Sequence, residues 1–133
     1  MSMKSRISKM VLILAIPMAL AACKTTEQAL MESGNKPLVA AEITSLHSGK
    51  AVAWTTSKAS GTASYNADNS AILNWGQGDK PGMWRVDADA NKLCTKWEYN
   101  KKKEKCFSVY KTAENTYETI NAGGSRVATY SIK

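Results

Sequence analysis

The chain has one histidine, one phenylalanine and three prolines in 133 residues, and each scarcity narrows what it can do. A Ser-His-Asp or Cys-His hydrolase would have to use His47, which stands beside Ser45 and Ser48 with no nucleophile-elbow pattern around any serine. The simpler expectation for His47 is a helix end, where an imidazolium favours the negative pole of the helix dipole. A zinc site would need more ligands than Cys94, Cys106 and that histidine. Gly76-x-Gly78 is a bare glycine pair without a phosphate-binding fingerprint and reads as a loop. Asp87 and Asp89 have the residue types of a glycosidase pair, but Asp87-Ala-Asp-Ala-Asn91 is turn chemistry. It also lacks the glycine and distal glutamate of a calcium loop. With no converging catalytic set, the chain is expected not to be an enzyme, and no cofactor or metal is expected.

Long apolar runs are scarce too. The longest, Met10–Leu20, has eleven residues and contains Pro17, against the roughly 20 that a bilayer-spanning helix needs. Lys4, Arg6 and Lys9 precede it, and Leu20-Ala21-Ala22-Cys23 follows it. This arrangement is that of a signal peptide, and its end resembles the lipobox of bacterial lipoproteins. The resemblance implies that residues 1–22 are removed and that Cys23 is acylated, palmitate included, giving attachment to a membrane through the lipid anchor. Lys24, standing where aspartate would retain a lipoprotein, is similar to those that move on to the outer membrane. The expected location is therefore the outer membrane, facing periplasm or surface. Removing the three leader cations lowers the formal charge from +7 to +4. So mild an excess argues against nucleic acid as a partner.

The mature chain of 111 residues makes one domain. In an exported protein Cys94 and Cys106 remain as an even pair and read as one disulfide. Residues 23–37 are polar, with Gly34 and Pro37, and suggest a lipidated tether to a domain over residues 38–133. Leu38 to Leu46 has near-helical apolar spacing and ends at His47-Ser48-Gly49. From Lys50 onward come short runs rich in Val, Thr, Tyr and Trp, separated by turn formers. They fall at 51–56, 61–66, 71–75, 83–86, 93–99, 106–111, 116–120 and 126–132, with Gly76–Gly82 as a loop. The expected fold is all-β, a small up-and-down antiparallel meander of about eight strands, barrel-like, preceded by a short helix.

Placing Cys94 opposite Cys106 predicts a register. Leu93 then faces Phe107 on one side of the hairpin, while Lys96 faces Glu104 and Glu98 faces Lys102 on the other. Trp97 falls opposite Lys103 near the tip. The aromatic residues, four Trp and five Tyr, suit either a ligand cleft or the core; Trp75 and Trp84 lie in the most apolar runs and favour core. Four lysines crowd the turn at Lys101, Lys102, Lys103 and Lys105. They read either as a solvated turn or, with Trp97, as a contact for an anionic surface.

Gly82-Met-Trp84-Arg-Val86, Leu93-Cys94-Thr-Lys-Trp97 and Lys105-Cys106-Phe-Ser-Val109-Tyr110 together resemble a small uncharacterised family of short exported bacterial proteins. Its core pattern is G-x-W-x-V…L-C…W…C-F-x-V-Y. The resemblance implies a compact all-β domain with an internal disulfide and carries no established activity. The functional expectation is a non-catalytic envelope module contacting an anionic envelope polymer, such as lipopolysaccharide or peptidoglycan, through the basic hairpin. The alternative is an interaction protein, for example an inhibitor of a secreted or periplasmic hydrolase working through Gly76–Gly82. Small barrel inhibitors share its size and topology, an analogy of fold alone.

Overall fold

A computed structural model describes residues 24–133; the expected leader and Cys23, the residue expected to carry lipid, lie outside the described residues. Among the described residues two helices, α1 (Thr26–Glu32) and α2 (Ala40–His47), precede eight strands. These are β1 (Lys50–Thr55), β2 (Ser60–Tyr65), β3 (Ser70–Asn74), β4 (Asp79–Asp87), β5 (Lys92–Trp97), β6 (Glu104–Ala113), β7 (Thr116–Ile120) and β8 (Arg126–Ile132). Each strand pairs antiparallel with the next and β8 pairs with β1, which closes the barrel. Closure leaves no row of unpaired backbone groups at a sheet edge.

The turns follow from short polar side chains. Asn69 adopts φ 74°, and the Asp68 carboxylate accepts from the Ser70 N–H and hydroxyl. Those hydrogen bonds hold the Asp68 carboxyl below its usual range. Asp87 Oδ1 accepts from the N–H groups of Asp89 and Ala90, so Asp87 and Asp89 shape a turn and do not form a carboxylate pair.

In the β5–β6 hairpin Leu93 faces Phe107, Cys94 faces Cys106 and Lys96 faces Glu104. The Cys94–Cys106 disulfide is formed. Leu93, Thr95 and Trp97 point into the barrel, which leaves the disulfide on the outer wall. Glu98 does not pair with Lys102. The Lys102 N–H donates to the Trp97 carbonyl, the chain leaves the ladder, and Glu98–Asn100 forms a 3-10 turn. Glu104 is engaged bidentately by Arg85 of the neighbouring strand, at 2.9 and 2.8 Å. The loop expected over Gly76–Gly82 is also shorter, because β4 begins at Asp79 and Lys80 and Pro81 already pair with Leu73 and Ile72.

The barrel's two ends differ. At one end α2 forms a plug, with Ile43 and His47 fully buried and Leu38 and Leu46 packed against the core. The Ala40 N–H donates to Asn91 Oδ1 of the β4–β5 turn, fastening the start of the plug. The other end, where β1, β3, β5 and β7 finish, is an open mouth.

Of residues 23–37, expected as a free tether, the stretch from Thr25 to Pro37 runs along the outer wall from the mouth to the plug. The Glu27 N–H donates to the Gly124 carbonyl in the β7–β8 turn at 3.0 Å. The Tyr110 hydroxyl donates to the Glu27 carboxylate at 2.7 Å. Farther along, the Leu38 N–H donates to the Val109 carbonyl, and Pro37 bridges to Tyr110. The physical reason is the outer wall itself. Tyr110 and Ile120 are fully buried although they stand outside the central core cluster, and the strap provides cover for this apolar stretch.

Candidate functional site

Inside the mouth half of the barrel lies a cavity of about 400 Å³. Its depth is set by where large side chains stop. Trp84 fills the β4 side, with its indole N–H donating to the Asn66 carbonyl at 2.9 Å. Tyr65 stands edge-on to Trp84 at 5.6 Å between ring centroids. Above these rings several inward positions are small: Ala59, Ala63, Thr95, Thr119 and Ala128 all lie on the cavity wall. Eight-stranded barrels are just wide enough to be filled by side chains or to hold one small ligand, and these residues leave this one unfilled.

Two indoles at the mouth lie across from glycines in the neighbouring strand. Trp97 pairs with Gly82, and a Cβ at Gly82 would run into the Trp97 ring and the Lys96 carbonyl. Trp54 pairs with Gly61, whose missing side chain admits the backbone of Asn74 and Trp75. Trp75, expected in the core, is instead half-buried on the cavity wall. It packs edge-on to Tyr99 at 5.2 Å, with Lys80 Nζ 5.7 Å from its ring centroid. Trp84 is core, as expected, at 5% exposure. The Trp54 indole N–H is buried without a hydrogen-bond partner among the described residues.

The floor of the cavity is formed by Tyr65 and Tyr130, which join it to the plug. His47 Nδ1 lies 2.7 Å from the Ile43 carbonyl and Nε2 lies 2.8 Å from the Tyr130 hydroxyl. A carbonyl can only accept, so Nδ1 carries the proton and Tyr130 donates to Nε2. Burial pulls the His47 pKa down to about 4, with the Ile43 hydrogen bond opposing the shift and Lys50 assisting it. Its helix-terminal position is as expected, but it is neutral and so gains nothing from the helix dipole. Burial pushes the Tyr65 hydroxyl up to about 12. It raises Tyr130 as well, with Tyr65 and Tyr117 adding to the effect.

The four lysines separate into two pairs. Lys103 and Lys105 lie on the cavity wall at the mouth, beside Trp97, Tyr99 and Asn100. Lys101 and Lys102 form the exposed tip, both with left-handed backbone at φ 56° and 58°. Among the described residues, Lys103 and Lys105 are the only charged ones on the wall, and neither enters an ion pair there. Cys94, Glu104 and Cys106 lie close together, but the two sulfurs are bonded to each other and offer no thiolate to a metal. Sequence reading singled out the lysines and Trp97 and left the aromatic residues between a cleft and the core; a further signal of the cavity was the run of small residues at alternate positions, Ala59, Gly61 and Ala63, in and before β2.

No curated protein and no solved structure matches the chain. Residues 12–127 match a family described as protein of unknown function, DUF995. That span contains the Gly82-to-Tyr110 pattern whose glycine seats Trp97 and whose cysteines close the hairpin. The chain therefore belongs to the DUF995 family.

Proposed function

We propose that this protein is a non-catalytic binding module of the bacterial outer membrane, anchored by lipid on Cys23, that contacts an anionic envelope polymer through its basic hairpin. The observation that carries the reading is the rim: Lys103 and Lys105 stand at the cavity mouth beside Trp97, with no acidic residue on the same wall among the described residues. An array of cations with no neutralising partner attracts phosphate or carboxylate groups. An adjacent aromatic ring adds apolar contact with a sugar or acyl group.

Each lysine near an anionic surface is worth about 1 kcal/mol, so losing the rim pair should weaken binding by roughly 30-fold. The test compares Lys103→Ser/Lys105→Ser with Lys101→Ser/Lys102→Ser in the soluble chain from Lys24, which contains every barrel strand and both helices. Sedimentation with anionic vesicles and with sacculi reads the binding. The rim pair should cost more than the tip pair, and both effects should shrink at high salt. Undiminished binding by the rim variant sinks the proposal. The anchor has its own test: Cys23→Ser should abolish lipid labelling and release the protein from the membrane fraction.

A further inference from the structure

We infer that the barrel cavity is itself a binding site for a small amphipathic carboxylate of the medium-chain fatty acid class. Its hydrocarbon chain would lie inside the barrel and its carboxylate between Lys103 and Lys105. The inference rests on the foregoing reading for its lysine half and adds the apolar half.

Three observations converge on this ligand class. First, the inner wall is hydrocarbon and aromatic, from Leu73, Leu93 and Phe107 down to Tyr65 and Tyr130, and among the described residues the only charges are the two cations at the mouth. A neutral apolar ligand would leave those cations unused, and a purely ionic one would leave the interior unused. Second, the volume is right for one chain. At about 30 Å³ for each water-sized unit, a cavity of about 400 Å³ takes on the order of ten carbon atoms. Third, the closed end is firmly closed. The His47–Tyr130 hydrogen bond and the buried Ile43 close the floor, so a chain enters through the mouth, and its polar end stays at the rim where the two lysines stand.

The test titrates decanoate, below its micellar range, into the chain from Lys24 and follows tryptophan fluorescence and calorimetric heat. Decan-1-ol and acetate serve as the chain-only and charge-only controls. Ala128→Trp fills the cavity from β8 without altering either lysine, and near-ultraviolet circular dichroism checks that it is folded. The parent should bind decanoate as a one-to-one complex and should not bind acetate. Ala128→Trp should weaken decanoate at least tenfold while leaving sacculus binding intact. Lys103→Ser/Lys105→Ser should weaken decanoate at least tenfold and leave decan-1-ol unchanged, a readout that holds even if Ala128→Trp fails to fold. Absence of decanoate binding by the parent overturns the inference, as does equal binding by a folded Ala128→Trp. If the lysine variant loses decanoate but still sediments with sacculi, the polymer reading fails and the cavity site stands.

Discussion

His47 shows how a single buried side chain sets a pH limit on the fold. Its pKa falls from 6.5 to about 4 in the folded state, so between these values only the unfolded chain takes up the proton. Stability is fully present above pH 6.5 and is lost as pH falls toward 4, by roughly 3 kcal/mol in all. Urea midpoints measured from pH 7 to pH 4 should fall in the parent by that amount more than in His47→Leu. Gly82 is a second such position. Gly82→Ala forces a Cβ into Trp97 and the Lys96 backbone and should cost about 1–3 kcal/mol, read as a lower thermal midpoint. Both residues were visible in the sequence, one as a helix end and one as part of a motif. Their reasons were not, because Tyr130 lies 83 residues from His47 and Trp97 meets Gly82 only across a strand pair.

Among the elements, the β5–β6 hairpin was the most legible, because two cysteines specify a register that Leu93–Phe107 and Lys96–Glu104 then satisfy. Legibility ended at Glu98, where the left-handed lysines turn the chain out of the ladder. The start of β4 was missed for a compositional reason: Asp79-Lys-Pro-Gly82 has the residues of a loop, yet closing the barrel pairs it with β3. Left-handed backbone costs a non-glycine residue about 1–2 kcal/mol. Replacing Lys101-Lys102 by Asn-Gly should therefore raise stability by about 1 kcal/mol, measured by chemical denaturation, with decanoate affinity unchanged. A substitution that stabilises the tip and leaves the rim working would separate the two lysine pairs by function. Replacing Cys94 and Cys106 together by Ala should cost roughly 3 kcal/mol, from the loop-entropy relation for a ring of this size.

For the whole molecule, eight short runs separated by turn residues were enough to read a barrel. The cavity was legible only as an alternative, a cleft or a core for the aromatic residues, because the choice depends on which small residues from β2, β5, β7 and β8 come to face one another after closure. The strap was hidden for a similar reason: a polar stretch with Gly34 and Pro37 gives no sign that Tyr110 on a distant strand needs its cover. Burial raises the hydroxyls of Tyr65, Tyr110 and Tyr130, with Glu27 adding to the effect at Tyr110. The stability this represents is present below pH 10 and is lost as pH rises above it, because the unfolded chain ionises first. In an alkaline titration followed by tyrosinate absorbance, these residues should stay un-ionised past pH 10 and then titrate together with loss of fold. Smooth titration of all five tyrosines near pH 10 would contradict the buried arrangement.

With a lipid on Cys23, the strap would also govern which way the protein faces. Glu27 is fastened to Gly124 in the β7–β8 turn, on the same rim as the lysines, and Cys23 is four residues upstream. At no more than about 3.6 Å of reach per residue, a lipid on Cys23 would hang the barrel by its mouth on a leash of roughly 15 Å, shorter than a free 14-residue spacer would allow. The opening would then look into the bilayer surface, and the plug would look away from it. A compound dissolved in that surface would meet the lysines before any molecule from bulk water did.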